Sequence, residues 1–473
     1  MYSCLRHSGW SRLVTKVNPP VLMLSRMCRL SCGLVCPCVT GSVKGLVKIL
    51  WVKPGKLLPL DTGGKLRTYN ILRHLSRIHS VTLLSYYSGR RNQDYESEIA
   101  QQLPGTLPVS DAMPEVQGFG RHLDYIRGLP SSVPYSVSQF TSPRVQEILA
   151  EWIAQPRFDV AVCDFLASAG NFPRDLITPT VLFQHNVESL LWKRRAQFSL
   201  KPMERMISRV EYAKMRRYEP IQIRRFHHVF AVSEQDRQAM SGMVDASRIS
   251  VIPTGVDLSH YRFDPKLRPE RPLVVFAGSM DWEPNIDGVE HFCRDIWPRV
   301  LEEIPEARFR IVGRKPDARV TKLASGSVEV TGSVPSMIDH FREAAVLVVP
   351  LRMGGGTRIK IYEGMALGKA TVSTFIGAEG LNVKHGKDIL LADDPRRFAA
   401  SIVKLLRDED FRRRFEIAAA ETVRQYDWSV VAQCFARETE KAIEASVVRS
   451  LKPGRTPLHG PAGRPTQDSL GAV

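Results

Sequence analysis

Short apolar runs rich in β-branched residues alternate with longer amphipathic stretches along most of the chain. This alternation is typical of a parallel β-sheet whose strands are joined by helices. In the first half, the pattern predicts strands at residues 47–52, 81–87, 159–165, 180–186, 228–233 and 249–255. A helix is predicted at 65–78. Residues 104–143 have a weak pattern and are predicted to form an irregular insertion over the sheet edge.

The alternation is interrupted once and then restarts. Residues 256–271 are polar and contain prolines, which predicts a linker between domains. Beyond it, strands are predicted at 273–279, 307–313, 327–334, 345–351, 370–374 and 388–392. Helices are predicted at 285–304 and 428–447, and a charged pair of helices at 395–425. The chain is therefore divided into an N-terminal domain at 46–255, the linker at 256–271, a C-terminal domain at 272–428 and a closing helix at 429–448.

Two such halves predict an α/β fold of two doubly wound, Rossmann-like domains that face a cleft. Ligands of doubly wound sheets bind beyond the carboxyl ends of the strands, where helix N-termini also point. The search for functional residues can therefore be confined to the loops that follow predicted strands.

Composition and charge narrow the class of protein. The chain has 43% hydrophobic and 24% charged residues, as expected for a soluble globular protein. No apolar run is long enough to cross a bilayer, and the N-terminus lacks the features of a secretory signal peptide. The net charge of +17 predicts an anionic partner. The basic helical stretch from Lys193 to Arg225 suits an anionic membrane surface, nucleic acid or simply a solvated face.

The cysteines are concentrated near the N-terminus. The spacing of Cys28, Cys32, Cys36 and Cys38 fits no standard zinc or iron–sulfur pattern, so residues 1–45 are expected to be a disordered, basic, cysteine-rich extension that need not belong to the native protein. Residues 449–473, rich in Pro and Gly, are expected to be a disordered tail. The three remaining cysteines are predicted to be buried free thiols, which favours a reducing, cytoplasmic location.

The segment RMGGGTRIKIYEGMALG, from Arg352 to Gly368, is the strongest candidate site. Gly354, Gly355 and Gly356 follow a predicted strand, Thr357 is a predicted helix start and Gly368 a predicted helix stop. Glycines let backbone N–H groups approach an anion at a helix N-terminus. Gly356, Lys360 and Glu363 then share one helix face. This series suits a nucleoside diphosphate, although a solvated face with a Lys360–Glu363 pair explains the spacing as well.

Other loops at predicted strand ends carry weaker signals. Gly63 and Gly64 lie between the first strand and the first helix, where they form either a second side of the cleft or an ordinary turn. His185 follows a strand and can exchange a hydrogen bond with a substrate hydroxyl, or serve a structural role. Gly278 lies in a further strand-end loop, FAGSMDWEPNIDG, that is predicted to face the cleft.

Taken in order, the stretches DTGGKLRTYNIL, HNVESLLW, VIPTGVDLSHY, FAGSMDWEPNIDGV, VTGSVPSM and VVPLRMGGGTRIKIYEGMALG resemble the retaining glycosyltransferases of family 4, which have the GT-B fold. The resemblance covers about residues 47–447. It is most similar to the bacterial branch linked to exopolysaccharide synthesis and exosortase/PEP-CTERM gene clusters.

The resemblance implies transfer of a sugar from a nucleotide-sugar donor to a saccharide or lipid-linked acceptor, with retention and without a required metal or cofactor. Glu363 matches the family's ribose-binding glutamate, Gly63 and Gly64 its donor-facing glycines, and His185 its histidine that contacts the transferred sugar. The loops at Gly313 and Val334 match those that hold the base. It also implies a cytoplasmic enzyme, peripheral at the inner face of the plasma membrane.

The sequence departs from the family pattern in two places. Gly355 stands where many members have a second glutamate, so the groups that hold the donor sugar are left open. Ser279 and Asn285 occupy places where members commonly have an arginine and a lysine for the diphosphate, so Arg358 and Lys360 are the nearest cationic candidates. Two alternatives stay open on the residues alone, a nucleotide-sugar epimerase of the same fold and a basic protein that binds nucleic acid or membrane, although nucleic acid is not the expected partner.

Overall fold

The computed structural model describes residues 45–113, 119–199 and 201–450. Most of the predicted N-terminal extension, with its cysteine cluster, and residues 451–473 of the predicted tail lie outside the described residues. Within the described part, Cys163, Cys293 and Cys434 form no disulfide bond; Cys163 is buried, whereas the other two are only partly buried. No described helix combines the length and the apolar character that crossing a membrane requires.

The N-terminal half forms a parallel sheet of seven strands. These are β1 (Lys48–Pro54), β2 (Ser80–Ser88), β3 (Thr106–Met113), β4 (Val160–Asp164), β5 (Thr180–Phe183), β6 (His228–Ala231) and β7 (Ile249–Val251). Their spatial order is β3-β2-β1-β4-β5-β6-β7, and every pair is parallel. The helices between them are α1 (Gly63–Leu75), α2 (Gln93–Gln102), α3 (Phe119–Arg127), α4 (Tyr135–Ser138), α5 (Pro143–Ala154), α6 (Glu188–Phe198), α7 (Pro202–Arg225) and α8 (Glu234–Ser241).

The C-terminal half repeats the design with six strands. These are β8 (Leu273–Ala277), β9 (Arg308–Val312), β10 (Val328–Gly332), β11 (Val346–Val349), β12 (Ala370–Ser373) and β13 (Leu390–Leu391), in the order β10-β9-β8-β11-β12-β13. The helices are α9 (Glu283–His291), α10 (Trp297–Glu303), α11 (Ala318–Thr321), α12 (Met337–Glu343), α13 (Ile359–Ala366), α14 (Pro395–Arg407), α15 (Glu409–Val423) and α16 (Trp428–Ser450). A single π-helical turn, Phe292–Ile296, joins α9 to α10.

Each sheet has its own core. Strand residues such as Leu50, Val52 and Val162 are fully buried, because parallel sheets are covered by helices on both faces. Helix α16 leaves the C-terminal half and packs on the N-terminal sheet, where Phe435 contacts Trp51, Phe183 and Phe230. This crossing ties the second half of the chain to the first.

The predicted α/β fold of two doubly wound domains is confirmed, and all twelve predicted strands are present, although most are shorter than predicted. The expectation for residues 104–143 was wrong, because this region contains the edge strand β3, paired with β2, as well as α4. Helix α1 begins at Gly63 rather than residue 65, so the two glycines form its first turn. Helix α13 begins at Ile359 rather than Thr357, whereas Gly368 follows its end in the left-handed conformation, as a stop residue should.

Candidate active site

A cavity of about 410 Å³ lies between the two halves, at the carboxyl ends of strands from both sheets. Its walls include the ends of β4, β5, β8 and β11, which is where doubly wound sheets bind ligands. Ten residues predicted from the sequence line it, namely Gly63, Gly64, His185, Gly278, Gly355, Gly356, Thr357, Arg358, Lys360 and Glu363. We call this cavity the cleft.

Gly354, Gly355 and Gly356 follow β11 and form a tight segment that packs against the N-terminal half. We call it the glycine segment. Gly354 and Gly356 have φ values of +119° and +77°, a region that residues with a side chain rarely adopt. A Cβ on Gly356 would lie 2.8 Å from Oδ1 of Asn186, which belongs to the other half. The glycines therefore permit both the turn and the close approach of the two halves.

Gly355 has a different reason to be glycine. A Cβ built on it would lie 2.1 Å from Cδ2 of Leu191 on α6, so the Leu191 side chain occupies the space that a residue at 355 would need. A glutamate at this place, as in many members of the family that the sequence resembles, would require Leu191 to move.

Helix α13 carries Glu363 on a buried face. Glu363 is only 5% exposed, and Lys360 Nζ lies 2.7 Å from its Oε2. The contact is an ion pair, and Oε2 is buried and accepts no hydrogen bond from the described residues. Burial and the Glu363 carboxylate raise the pKa of the nearby Tyr261 hydroxyl. The predicted Lys360–Glu363 pair is present, but its carboxylate is not on a solvated face.

Arg358 stabilises the glycine segment through hydrogen bonds to its backbone carbonyls. Its Nη1 donates to the carbonyls of Gly355 and Gly356, the latter at 2.7 Å, and its guanidinium lies 5.2 Å from the centre of the Trp282 ring. Nε and Nη2 are buried and donate to no described residue. Burial lowers the pKa of Arg358 to about 10, so the group remains a cation near neutral pH. Arg358 thus places a buried positive charge at the wall of the cleft.

On the opposite wall, helix α1 presents its first turn. The Oγ1 of Thr62 accepts a hydrogen bond from the Lys65 backbone and caps the helix. Gly64 lies against Phe165, because a Cβ there would be 2.6 Å from Phe165 Cζ. The predicted pair Gly63 and Gly64 therefore brings a helix start, free of side chains, to the edge of the cleft.

His185 lines the cleft, but both of its ring nitrogens are engaged by protein groups. Its Nε2 lies 2.7 Å from Oδ1 of Asp164, its Nδ1 lies 3.0 Å from Nη1 of Arg67, and its ring stacks on Phe165. Arginine can only donate, so Nδ1 accepts and Nε2 carries the hydrogen that Asp164 accepts. Both ring nitrogens are therefore used, and a contact between the His185 side chain and a sugar would need one of these bonds to open.

Burial keeps this histidine neutral. It lowers the pKa of His185 to about 4, against the opposing effect of Asp164. Burial acts to raise the pKa of Asp164, but His185, Lys53 and Thr68 outweigh it, and the pKa is lowered. The pair therefore holds an anionic Asp164 beside a neutral His185 near neutral pH.

Arg67 joins this buried pair to the glycine segment. It is 3% exposed on α1, and its Nη2 donates to Oγ1 of Thr357 at 2.5 Å. Its Nε is buried and has no described partner. The result is a continuous polar chain, Asp164–His185–Arg67–Thr357, that crosses from the first half to the second.

A second link between the halves lies beside Gly354. Both terminal nitrogens of Arg194 on α6 donate to Glu379 at 2.6 Å, and Nη1 also donates to the Gly354 carbonyl at 2.9 Å. The start of α6 is itself fixed, because the fully buried Glu219 accepts from the backbone nitrogens of Glu188 and Ser189 at 2.8 and 3.0 Å. Arg194 therefore binds the glycine segment from a helix, α6, whose start is fixed by buried hydrogen bonds.

Ser279 and Asn285, the two places where the sequence departs from the family pattern for the diphosphate, stabilise the loop after β8. Asn285 Nδ2 donates to the Ser279 carbonyl at 2.9 Å and fixes the loop after β8. Arg314, which follows β9, donates to the Ser279 hydroxyl at 3.1 Å and to the Asp61 carbonyl at 3.3 Å. A cation does reach this loop, but from a place in the sequence that the motif comparison did not indicate.

Three predicted site residues do not line the cleft. Gly354 lies just behind it, and Gly313 packs so closely on the loop after β8 that a Cβ would lie 1.6 Å from the Gly278 carbonyl oxygen. Val334 is half-buried beside the core of the second sheet. Among the described residues, no group of three or more His, Cys, Asp or Glu side chains could hold a metal ion.

Sequence reasoning missed Arg67, Arg194 and Arg314. Each is one of many arginines in a basic chain, and its partners lie far away in the sequence. Arg67 lies four residues after Gly63 and shares a face of α1 with it, but the predicted helix began at residue 65 and did not include Gly63.

Comparison with known proteins agrees with this architecture. Residues 62–260 match the family model described as Glycosyltransferase Family 4, and residues 271–408 match the model described as Glycosyl transferases group 1. Phosphatidyl-myo-inositol mannosyltransferase of Mycobacterium leprae is 32% identical over 199 residues, which make up 40% of this chain and 52% of that protein. The chain thus spans about half the length of the curated relatives that it matches.

Solved structures show the similarity in fold. HepE from Anabaena, solved in complex with UDP-glucose, is 15% identical, with a TM-score of 0.56 over 84% of this chain and 100% of that one. Sucrose-phosphate synthase from Thermosynechococcus elongatus is 14% identical, with a TM-score of 0.62 and the same coverage. The described chain therefore has the GT-B fold and matches two glycosyltransferase family models in succession.

Proposed function

We propose that the protein is a glycosyltransferase that moves a sugar from a nucleotide-sugar donor to a hydroxyl group of a saccharide or lipid-linked acceptor. The observation that carries the proposal is the cleft, where Glu363, the glycine segment and the first turn of α1 line one cavity at the ends of both sheets. Transfer requires a site that holds an anionic donor between two surfaces and excludes water.

The donor is expected to bind mainly to the second half. Oε2 of Glu363 would accept hydrogen bonds from the ribose hydroxyls, and the diphosphate would lie along the glycine segment. Arg358 lines the cleft there as a cation, and a fixed charge of this kind stabilises charge that develops in a transition state. Lys360 is less available than Arg358, because it is paired with Glu363.

In the reaction, an acceptor oxygen forms a bond to the anomeric carbon as the bond from that carbon to the diphosphate oxygen breaks. The hydroxyl proton leaves with the nucleoside diphosphate or to solvent. We propose that the configuration at the anomeric carbon is retained, as in the family the sequence resembles, and that Arg358 rather than a required metal offsets the charge of the leaving group.

The acceptor is proposed to belong to exopolysaccharide or another cell-surface polysaccharide, assembled at the cytoplasmic face of the membrane. A relative bears the name phosphatidyl-myo-inositol mannosyltransferase, which supports a lipid-borne acceptor.

The basic stretch from Lys193 to Arg225 forms most of α6 and all of α7, and Met203 and Met206 are 64% and 56% exposed at the start of α7. Such a surface suits peripheral contact with anionic lipid. Vesicle flotation at low salt tests it, and equal recovery with neutral and anionic vesicles would contradict it.

Mass spectrometry of products from a panel of nucleotide sugars, with and without acceptors, tests the proposed activity. A glycosylated acceptor and a free nucleoside diphosphate support transfer, and NMR of the new linkage reports retention. An unchanged rate with a chelator supports metal-independent transfer. An isomerised donor formed without acceptor would instead support an epimerase. That alternative and nucleic-acid binding are not favoured, because both family matches are to glycosyltransferase models.

A further inference from the structure

A second cavity, of about 500 Å³, lies within the N-terminal half next to the cleft. The two cavities share Thr62 and Phe165 as lining residues, so a molecule in the second cavity can reach the edge of the first. The second cavity differs in its chemistry, because three lysines, Lys53, Lys56 and Lys65, lie in its wall. We call it the lysine cavity.

Lys53 is the most unusual of these lysines. It ends β1, is 4% exposed, and makes a single long hydrogen bond among the described residues, 3.3 Å from Nζ to the Pro54 carbonyl. It has no described ion-pair partner. The nearby Asp164 is engaged by Thr68 and His185 instead. Asp164 only partly offsets the cost of burying this cation, and burial lowers the pKa of Lys53, so an anion that enters the cavity would favour its charged form.

Lys56 is held in position before any ligand binds. Its Nζ lies 4.8 and 5.1 Å from the ring centres of Tyr87 and Tyr95, and it too has no described acidic partner. The surrounding loop is fixed, because the Leu57 backbone donates to the Tyr95 hydroxyl at 3.0 Å. Lys65 contributes less, since it pairs with Asp61 at 2.9 Å.

The rest of the lysine cavity suits the remainder of a glycosyl acceptor. Val137, Phe140, Leu166 and Met215 supply apolar surface. Glu188 also lines the wall, and burial together with Glu219 raises its pKa to about 7, so it can both donate and accept hydrogen bonds near neutral pH. A carboxyl group of this kind suits sugar hydroxyls.

We propose that the lysine cavity binds the acceptor, and that the acceptor carries a phosphate group held by Lys53 and Lys56. The N-terminus of α1, capped by Thr62, lies on the same side of the cavity and adds a favourable field for an anion. The acceptor hydroxyl then points past Thr62 and Phe165 into the cleft. This inference rests on the proposed transferase function, since it assigns a substrate class to the same enzyme.

The phosphate has two chemical sources, a soluble sugar phosphate or a lipid diphosphate that carries a saccharide. Titration calorimetry on the full chain, with inorganic phosphate, a hexose 1-phosphate and a short isoprenyl diphosphate in detergent micelles as probes, separates them. The variants are Lys56→Gln and Lys53→Met. Lys48→Gln is the matched control, because Lys48 is exposed at the other end of the same strand.

We expect the affinity for the tightest probe to fall at least about tenfold in Lys56→Gln and to stay unchanged in Lys48→Gln. Tighter binding of the hexose phosphate indicates a soluble acceptor, and tighter binding of the isoprenyl diphosphate a lipid-linked one. Equal affinity of wild type and Lys56→Gln for all three probes would overturn the proposal, even if Lys53→Met does not fold.

Failure of this inference is distinguishable from failure of the proposed function. The release of nucleoside diphosphate from the donor without acceptor, measured in the wild type and in Lys48→Gln, reports the transferase function separately from acceptor binding. If the wild type releases none with any donor, the transferase proposal fails while the binding result stands. If release is normal but the lysines do not affect probe binding, only the phosphate-bearing acceptor is excluded.

Discussion

Arg67 in the first half of the chain donates to Thr357 in the second half at 2.5 Å, while the same guanidinium donates to His185 at 3.0 Å. One side chain therefore sets the tautomer of the buried histidine and holds the glycine segment against the opposite wall of the cleft. Because Arg67 also lines the cleft, it is a candidate for direct contact with the donor as well.

Replacing Arg67 with alanine should lower kcat by about 100-fold, the size expected when a fixed charged donor is lost from a transfer site. Steady-state kinetics on the folded variant measures this. Arg73→Ala is the control, since Arg73 is exposed on the same helix and should leave kcat unchanged. A wild-type kcat in Arg67→Ala would show that Arg67 does not contribute to catalysis.

The contact between Gly355 and Leu191 predicts a rescue experiment. Gly355→Glu should weaken donor binding, because the new side chain requires the space of Leu191 and separates the two walls. The double variant Gly355→Glu with Leu191→Ala should recover part of the lost kcat/KM. Gly326→Glu serves as control, since no atom lies within 4 Å of a Cβ at that exposed position. Equal activity of the single and double variants would show that the clash is not what limits binding.

The Arg194–Glu379 pair should couple the two halves. Its side chains are 33% and 30% exposed, so solvent weakens the pair, and we expect a coupling energy of about 1 kcal/mol in a double-mutant cycle on donor KM. The variants are Arg194→Ala, Glu379→Ala and their combination, with the exposed neighbour Arg195→Ala as control. Additive effects would mean that this contact does not contribute to donor binding.

The sequence predicted the strands well because their apolar runs are long and bounded by glycine, proline and polar residues. It missed β3 because Pro108, Ser110 and Asp111 break the apolar pattern. An edge strand tolerates such residues, since one side of it makes no ladder hydrogen bonds. The starts of α1 and α13 were misplaced by two residues, which is the usual uncertainty of helix ends.

Only those parts of the candidate site that belong to a local sequence motif were predictable. Glycines at strand ends and Glu363 on the following helix are local patterns, and they do meet in the cleft. The polar chain through Arg67 was not predictable, because its partners His185 and Thr357 are 118 and 290 residues away. Likewise, nothing local showed that Leu191 would fill the space beside Gly355.

The buried His185 predicts a pH dependence of stability. Its pKa is lowered from 6.5 to about 4 in the folded state, so between these values the unfolded chain binds the proton more readily. The contribution of His185 to stability should therefore fall as pH falls from 6.5 to 4, by about 2 kcal/mol at pH 5, whereas Glu188, whose folded pKa is raised to about 7, acts in the opposite direction over this range. Asp164, whose folded pKa lies below 3.8, does not add to the loss in this window.

Urea unfolding at pH 7 and pH 5 measures this effect, with His185→Gln as the comparison, because glutamine retains polar contacts but does not titrate. The variant should lose less stability than wild type between the two pH values. An equal loss in both proteins would show that His185 is not the group responsible.

The central claim, that Glu363 and its helix hold a nucleotide-sugar donor in the cleft, is tested most directly by transfer assays on Glu363→Ala and Lys360→Ala. The account predicts that Glu363→Ala lowers kcat/KM by about 100-fold or more, and Lys360→Ala by less but clearly, with both proteins folded. Glu409→Ala, an exposed carboxylate on α15, should have no effect. Near-wild-type turnover in both Glu363→Ala and Lys360→Ala would contradict the assignment of the donor site.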